Sequence, residues 1–212
     1  MAILKNGILG GFAGKVGTVV GSIWKGISTM RAYVATISNP NTMAQLEQRA
    51  KFALVMAFLK PLTSFLRVGY KNLAIGQTTF NAAFSENYKH ITGAYPAIEM
   101  DYTTVILSKG NLAGALNPVA ASTTPGEVEF TWEDNSWETG AALTDEVVLV
   151  VYNPARQAAV SVIGGATRAT GSFQATMPDS FAGDEVQCYI AFKNAKGDKI
   201  SNSQFVAAKI VT

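Results

Sequence analysis

From about residue 96 to the C-terminus, apolar residues come in short runs with turn residues between them, and this spacing limits what the chain can become. The runs are "AIEMDYTTVILS", "EVEFTWED", "EVVLVVYNP", "AAVSVIG", "SFQATMP", "EVQCYIAFKN" and "SQFVAAKIV". They are rich in β-branched and aromatic side chains, which suit a pleated, half-buried surface. Between them stand "KGNLAG", "NPVAASTTPGE", "NPAR", "GG", "PDSFAGD" and "AKGDK", rich in the Gly, Pro, Asn and Asp that turns require. Six or seven short strands over roughly 115 residues predict an antiparallel β-sandwich of immunoglobulin-like size. Trp132 is its expected core tryptophan. The cysteine pair of antibody domains is absent, since Cys188 is the chain's one cysteine, and its place in "EVQCYIAF" predicts a buried structural thiol. "NAKGDKISNS" predicts a terminal hairpin turning at Lys196-Gly197-Asp198.

Upstream the apolar period lengthens. In "SNPNTMAQLEQRAKFALVMAFLKPL", Pro40 favours an extended entry and Thr42 is an N-cap whose capping-box partner is Gln45. Leu46, Ala50, Ala53, Leu54, Ala57 and Phe58 then form a stripe at helical spacing. Glu47 and Lys51 are a favourable i,i+4 pair, and Pro61 ends or kinks the helix. A second helix is expected over Gln77–Lys89, with Phe80, Ala83 and Phe84 on one face and Gly93 as its stop. Before both helices, residues 16–24 and 27–36 read as strands joined at Lys25-Gly26 in a hairpin turn. The fold class is therefore α+β. A hairpin-plus-helix module occupies residues 1–95 and a β-sandwich residues 96–212.

"GGFAGKVGTVVGSIWKG", residues 10–26, invites comparison with a phosphate-binding loop. Leu9 and Val16 stand where such a loop needs Gly and Ser or Thr, and the residues after Val16 are strand-like rather than helical. The glycines at 7, 10, 11, 14, 17, 21 and 26 include no pair two apart, so the dinucleotide fingerprint fails too. Gly10/Gly14 and Gly17/Gly21 match the spacing of membrane-helix packing motifs, but glycine and valine here disfavour a helix. Glycines in such a strand permit tight turns or the close approach of another chain.

Charge divides along the chain. Residues 1–95 carry ten Lys and Arg against Glu47 and Glu86; residues 96–212 carry seven against thirteen acids. A basic part fused to an acidic one suits modules with different partners, or neighbouring copies that attract each other. Catalysis finds little support. His90 is the chain's one histidine, expected at an exposed helix end, and no G-x-S-x-G or H-E-x-x-H occurs. Glu99 with Asp101, and Glu127 with Glu129, alternate along strands as solvated charge. No cofactor, no metal site and no small-molecule substrate are expected. Lys5, Asn6 and Lys15 interrupt the apolar start, and no run reaches the roughly 18 residues of a membrane span. No classical signal peptide is therefore read, and the chain is expected in the cytoplasm as synthesised, or incorporated into a virion or other assembly.

"GGFAGKVGTVVGSIWKG", then Arg31, then "NPNTMAQLEQRAKF" and the "FL-PL" segment, then a β-rich half with "VVYNP", resembles an uncharacterised protein family of Bacteroidota over nearly the whole chain. "NPNTMAQLEQRAKF" is also similar to segments of phage-associated hypothetical proteins, where a glycine-rich "SG-VG" hairpin precedes an arginine and the helix; Ala13 here replaces that Ser. The resemblance implies hairpin, capped helix and β-rich half in that order, with a phage or mobile-element context, and no catalytic residues.

The expected function is that of a non-enzymatic structural or assembly protein, phage-virion-like, which self-associates or packs in a larger protein assembly. Lys15, Trp24, Lys25, Arg31, Arg49 and Lys51 are its expected contact residues for a partner or polyanion. A nucleic-acid-binding module is the second reading, with Trp24, Tyr33, Phe52, Tyr70 and Tyr88 interleaved among the cations. A surface adhesion or carbohydrate-binding protein is the third.

Overall fold

The computed structural model describes residues 3–4, 10–36 and 39–212, the first pair by backbone alone. Most of the apolar start with Lys5, Asn6 and Gly7 lies outside the described residues. The structure is a mixed α/β chain, mostly strands in several antiparallel sheets, and divides into two compact units, 1–42 and 43–212.

The first unit is one antiparallel sheet in chain order: β1 (Ile3–Leu4), β2 (Phe12–Val16), β3 (Val19–Trp24) and β4 (Ile27–Ala32). The β3–β4 hairpin turns at Lys25-Gly26 as expected, both residues at positive φ (45° and 83°). A primed two-residue turn needs this geometry to match strand twist. The expected single strand over 16–24 is instead two strands. Gly17, at φ 56°, opens a second tight turn, leaving Val16 on β2 opposite Val19 on β3.

The second unit begins with helix α1 (Met43–Leu59), directly after Thr42. Its buried residues are Val55, Phe58 and Leu59, so the apolar stripe sits one position round from the one expected, and Ala53 faces solvent. Lys51 pairs with Glu47 as expected. Pro61 kinks rather than ends the helix: a 3-10 turn at Lys60–Leu62 leads into α2 (Thr63–Gly69), which the sequence pattern did not predict. The helical stretch from Met43 to Gly69 is long and apolar enough to cross a membrane; here Leu62, Phe65 and Leu66 are buried in a protein core. Helix α3 (Thr79–Asn87) is capped by Thr78, whose hydroxyl accepts from the Asn81 amide at 3.1 Å. It buries Ala82, Ala83 and Asn87, while Phe80 and Phe84 are half-buried. Gly93 does not stop a helix. It lies within the hairpin β5 (Ile91–Ala94) and β6 (Ala97–Met100), where a side chain would strike the Ala97 carbonyl.

The expected strand over 97–108 ends at Met100, because Asp101 turns the chain by accepting from the Thr103 amide and hydroxyl. Its place is taken by β7 (Leu116–Ala121), a stretch that reads from sequence as a turn because of Asn117-Pro118. Both fit there: Pro118 is on an edge strand and Asn117, at φ 48°, marks a shift of register. The remaining strands lie close to expectation: β8 (Glu127–Glu133), β9 (Glu146–Asn153), β10 (Ala158–Thr167), β11 (Ser172–Thr176), β12 (Glu185–Lys193) and β13 (Gln204–Ile210). One sheet has the order β10-β9-β12-β13 and the other β11-β8-β7.

Alternation along β9 shows how these elements pack. Val147, Leu149 and Val151 join Val128, Phe130 and Trp132 of β8 and Cys188, Ile190 and Phe192 of β12 in one core. Val148, Val150 and Tyr152 join Tyr189 and Ala191 of β12 and the helix residues Val55, Phe58, Leu62 and Leu66 in another. The four-stranded sheet is thus covered on both faces, which is why "EVVLVVYN" reads as an unbroken apolar run. The helices therefore belong with the strands. The expected division at 95/96 falls in the turn of the β5–β6 hairpin, whereas the compact units part after Thr42.

Candidate interaction surface

The N-terminal sheet separates its residues cleanly by face. Register places Lys15 beside Val20, and Val20 beside Arg31, so both cations stand on one side. The period of two adds Ser22, Trp24, Ile27 and Thr29 to that side. The Lys15 ammonium lies 3.3 Å from the centre of the Tyr33 ring, a cation–π contact, and the Ser22 and Thr29 hydroxyls are hydrogen-bonded at 2.7 Å. Trp24 is 57% exposed. The opposite side carries Phe12, Val16, Val19, Ile23 and Met30 and no charge. Its floor is Gly14 opposite Gly21, and the Phe12 ring lies against Gly21, where a side chain would meet it at 2.7 Å. Val16, Ile23, Trp24, Ile27 and Met30 are all exposed.

Of the six expected contact residues, the sheet brings Lys15, Trp24 and Arg31 onto one face and Lys25 to the adjoining turn. Arg49 and Lys51 lie on α1 of the second unit. The hydrogen bond to Glu47 raises the Lys51 pKa, consistent with a surface ion pair. Ser22 and Lys25 have the S-x-x-K spacing used by some acylating enzymes. Here they fall on a strand and in the turn after it, and the serine hydroxyl is engaged by Thr29.

The second unit's outer strand surface is the opposite in charge. On β8, Val128, Phe130 and Trp132 point into the core, so Glu127, Glu129 and Glu133 line the other face of the three-stranded sheet. Their neighbours there are Gln174 and Thr176 on β11 and Ala121 and Val119 on β7, none of them a cation.

Titratable groups elsewhere serve the fold. Burial pushes the Cys188 thiol up to about 12, as expected of a structural cysteine. It also raises Tyr70 and Tyr189, whose hydroxyls donate to the carbonyls of Ile106 and Tyr102. His90 is not an exposed cap: it is half-buried, with Nε2 shielded from solvent and lacking a hydrogen-bond partner. Among the described residues no three His, Cys, Asp or Glu side chains gather as metal ligands.

Sequence reasoning missed a buried ionic centre. Arg168 is fully enclosed and donates four hydrogen bonds: from Nε to the Asp145 carboxylate at 3.2 Å, from Nη1 to the Gly114 carbonyl at 2.9 Å and to Asn135, and from Nη2 to the Ala113 carbonyl at 2.9 Å; Nη2 also stands 3.1 Å from the Asp145 carboxylate as an ion pair. The guanidinium lies 4.0 Å from the centre of the Phe192 ring, and the Arg168 carbonyl accepts from the Trp132 indole at 2.9 Å. "ATRAT" carries no signal of this, because the partners come from distant segments of the chain.

Comparison with known proteins places the chain. The profile of a family of unknown function, DUF6266, matches residues 11–207. The chain belongs to this family. No curated protein matches this DUF6266 member. Among solved structures, it is similar to the solution structure of the fn3 domain of human collagen alpha-1(XX) chain. That match has 17% identity and a TM-score of 0.36, and covers 48% of this chain and 87% of the other.

Proposed function

We propose that this protein is a non-enzymatic structural or assembly protein that associates through its N-terminal sheet. The observation that carries this reading is that the sheet has no core of its own. It is a single layer in which only Gly21 is buried among the described residues, while five large apolar side chains from Val16 to Met30 are exposed. A sheet of this size needs its apolar face covered by another layer to hold its shape. The second unit reads as an immunoglobulin-like sandwich of three plus four strands, with helices laid on the larger sheet. A Bacteroidota or phage-virion setting rests on the sequence resemblance alone.

Light scattering over a wide concentration range tests this. The wild-type mass rises with concentration, and Met30→Glu, which puts a charge on the apolar face, shifts the protein toward monomer. A wild-type monomer at every concentration overturns the reading. The Lys15, Trp24 and Arg31 face supports nucleic-acid binding as a second reading, since cations beside an exposed indole suit phosphates and stacked bases. In that case the same peak carries 260 nm absorbance that added salt releases steeply.

A further inference from the structure

We propose that the partner of the charged face is a second copy of this chain, and that the surface it meets is the outer face of the β11-β8-β7 sheet. This rests on the assembly reading above and adds to it a contact through the charged side of the sheet, opposite Met30. Two independent observations fit together. The first unit holds Lys5, Lys15, Lys25 and Arg31 and no acid at all, and Lys15 and Arg31 share an exposed strand face with Trp24. The three-stranded sheet presents half-buried Glu127 and Glu129 and exposed Glu133 on its outer face, with exposed Val119 among them and no Lys or Arg. None of these five face charges forms an ion pair among the described residues.

Each face repels a copy of itself, so a symmetric contact through either is disfavoured and basic face on acidic face is favoured. Sheets pack face to face about 10 Å apart, so alternate residues along the strands meet, and both sets of charges recur at that period of two. Such a contact is heterologous: each copy offers one face and receives on the other, so copies add head to tail into rings or filaments. Three strands about 18 Å long bury roughly 500–600 Å² in total, at the weak end for one interface. Assembly therefore depends on concentration and salt.

The test uses the full chain and two charge reversals, Lys15→Glu at an exposed position and Glu129→Lys at a half-buried one. Wild-type mass by light scattering rises with concentration and falls on going from about 0.05 M to about 0.5 M salt. Each single variant associates about tenfold more weakly or worse. An equimolar mixture restores association, because each variant supplies the face that the other has lost. If wild type associates and either variant does so equally well, this inference falls and the assembly reading stands. If both variants fail and the mixture does not recover, the two faces are not each other's partners. A monomeric wild type overturns both proposals. Circular dichroism melts establish that the variants fold, and Lys15→Ala with Glu129→Gln replaces any reversal that does not.

Discussion

Arg168 shows how much a single residue can hold here. Its guanidinium joins residues 113–114, Asn135 and Asp145 beside the edge-on pair of Trp132 and Phe192. A buried pair of this kind is costly to break on one side, because the remaining charge stays enclosed. Arg168→Met, with Asp145 left in place, should cost about 3–5 kcal/mol by denaturant unfolding. Arg168→Lys should recover little of it, since a lysine offers three donors on one nitrogen in place of a planar fork. The charge of Arg168 and Asp145 was visible in the sequence, but nothing local could tell an enclosed arginine from a solvated one.

At the scale of elements, the glycines of the N-terminal sheet have separate duties. Gly17 and Gly26 sit in open space at positive φ, where the hairpins turn. Gly21 is different: a Cβ there would stand 2.4 Å from the Phe12 carbonyl oxygen, so it allows β2 to pass close. Gly21→Ala should loosen the sheet by about 1–3 kcal/mol, the usual cost of forcing atoms into a packed site. Faster hydrogen exchange at the amides of β2 and β3 would report it, with β9 unchanged. The Lys25-Gly26 turn, the start of α1 after Thr42 and six of the later strands were legible because turn residues and apolar period agree there. The turn at Gly17-Thr18 was not, since "VGTVVGSIW" keeps strand composition straight through it. Strand β7 was hidden by Asn117-Pro118, residues that signal a turn unless the strand is known to lie at an edge. The proposed contact face was half legible: composition pointed to Lys15, Trp24 and Arg31, but only register could show that they share a side, while Arg49 and Lys51 belong to helix α1.

For the whole molecule, the covering of β9 and β12 on both faces governs how it comes apart. Were α1 and α2 to lift away, Val148, Val150, Tyr152 and Tyr189 would lose their cover and meet water together. Were the three-stranded sheet to open instead, the same two strands would expose Leu149, Val151, Ile190 and Phe192 on the other side. Neither layer can leave cheaply, so residues 43–212 should unfold in a single step. Native-state exchange should find the β9 and β12 amides opening only with the global event, with the helix α1 amides facing the sheet not far behind. A protease should accordingly find its early cuts outside this body, so that limited digestion leaves a resistant fragment beginning close to Met43.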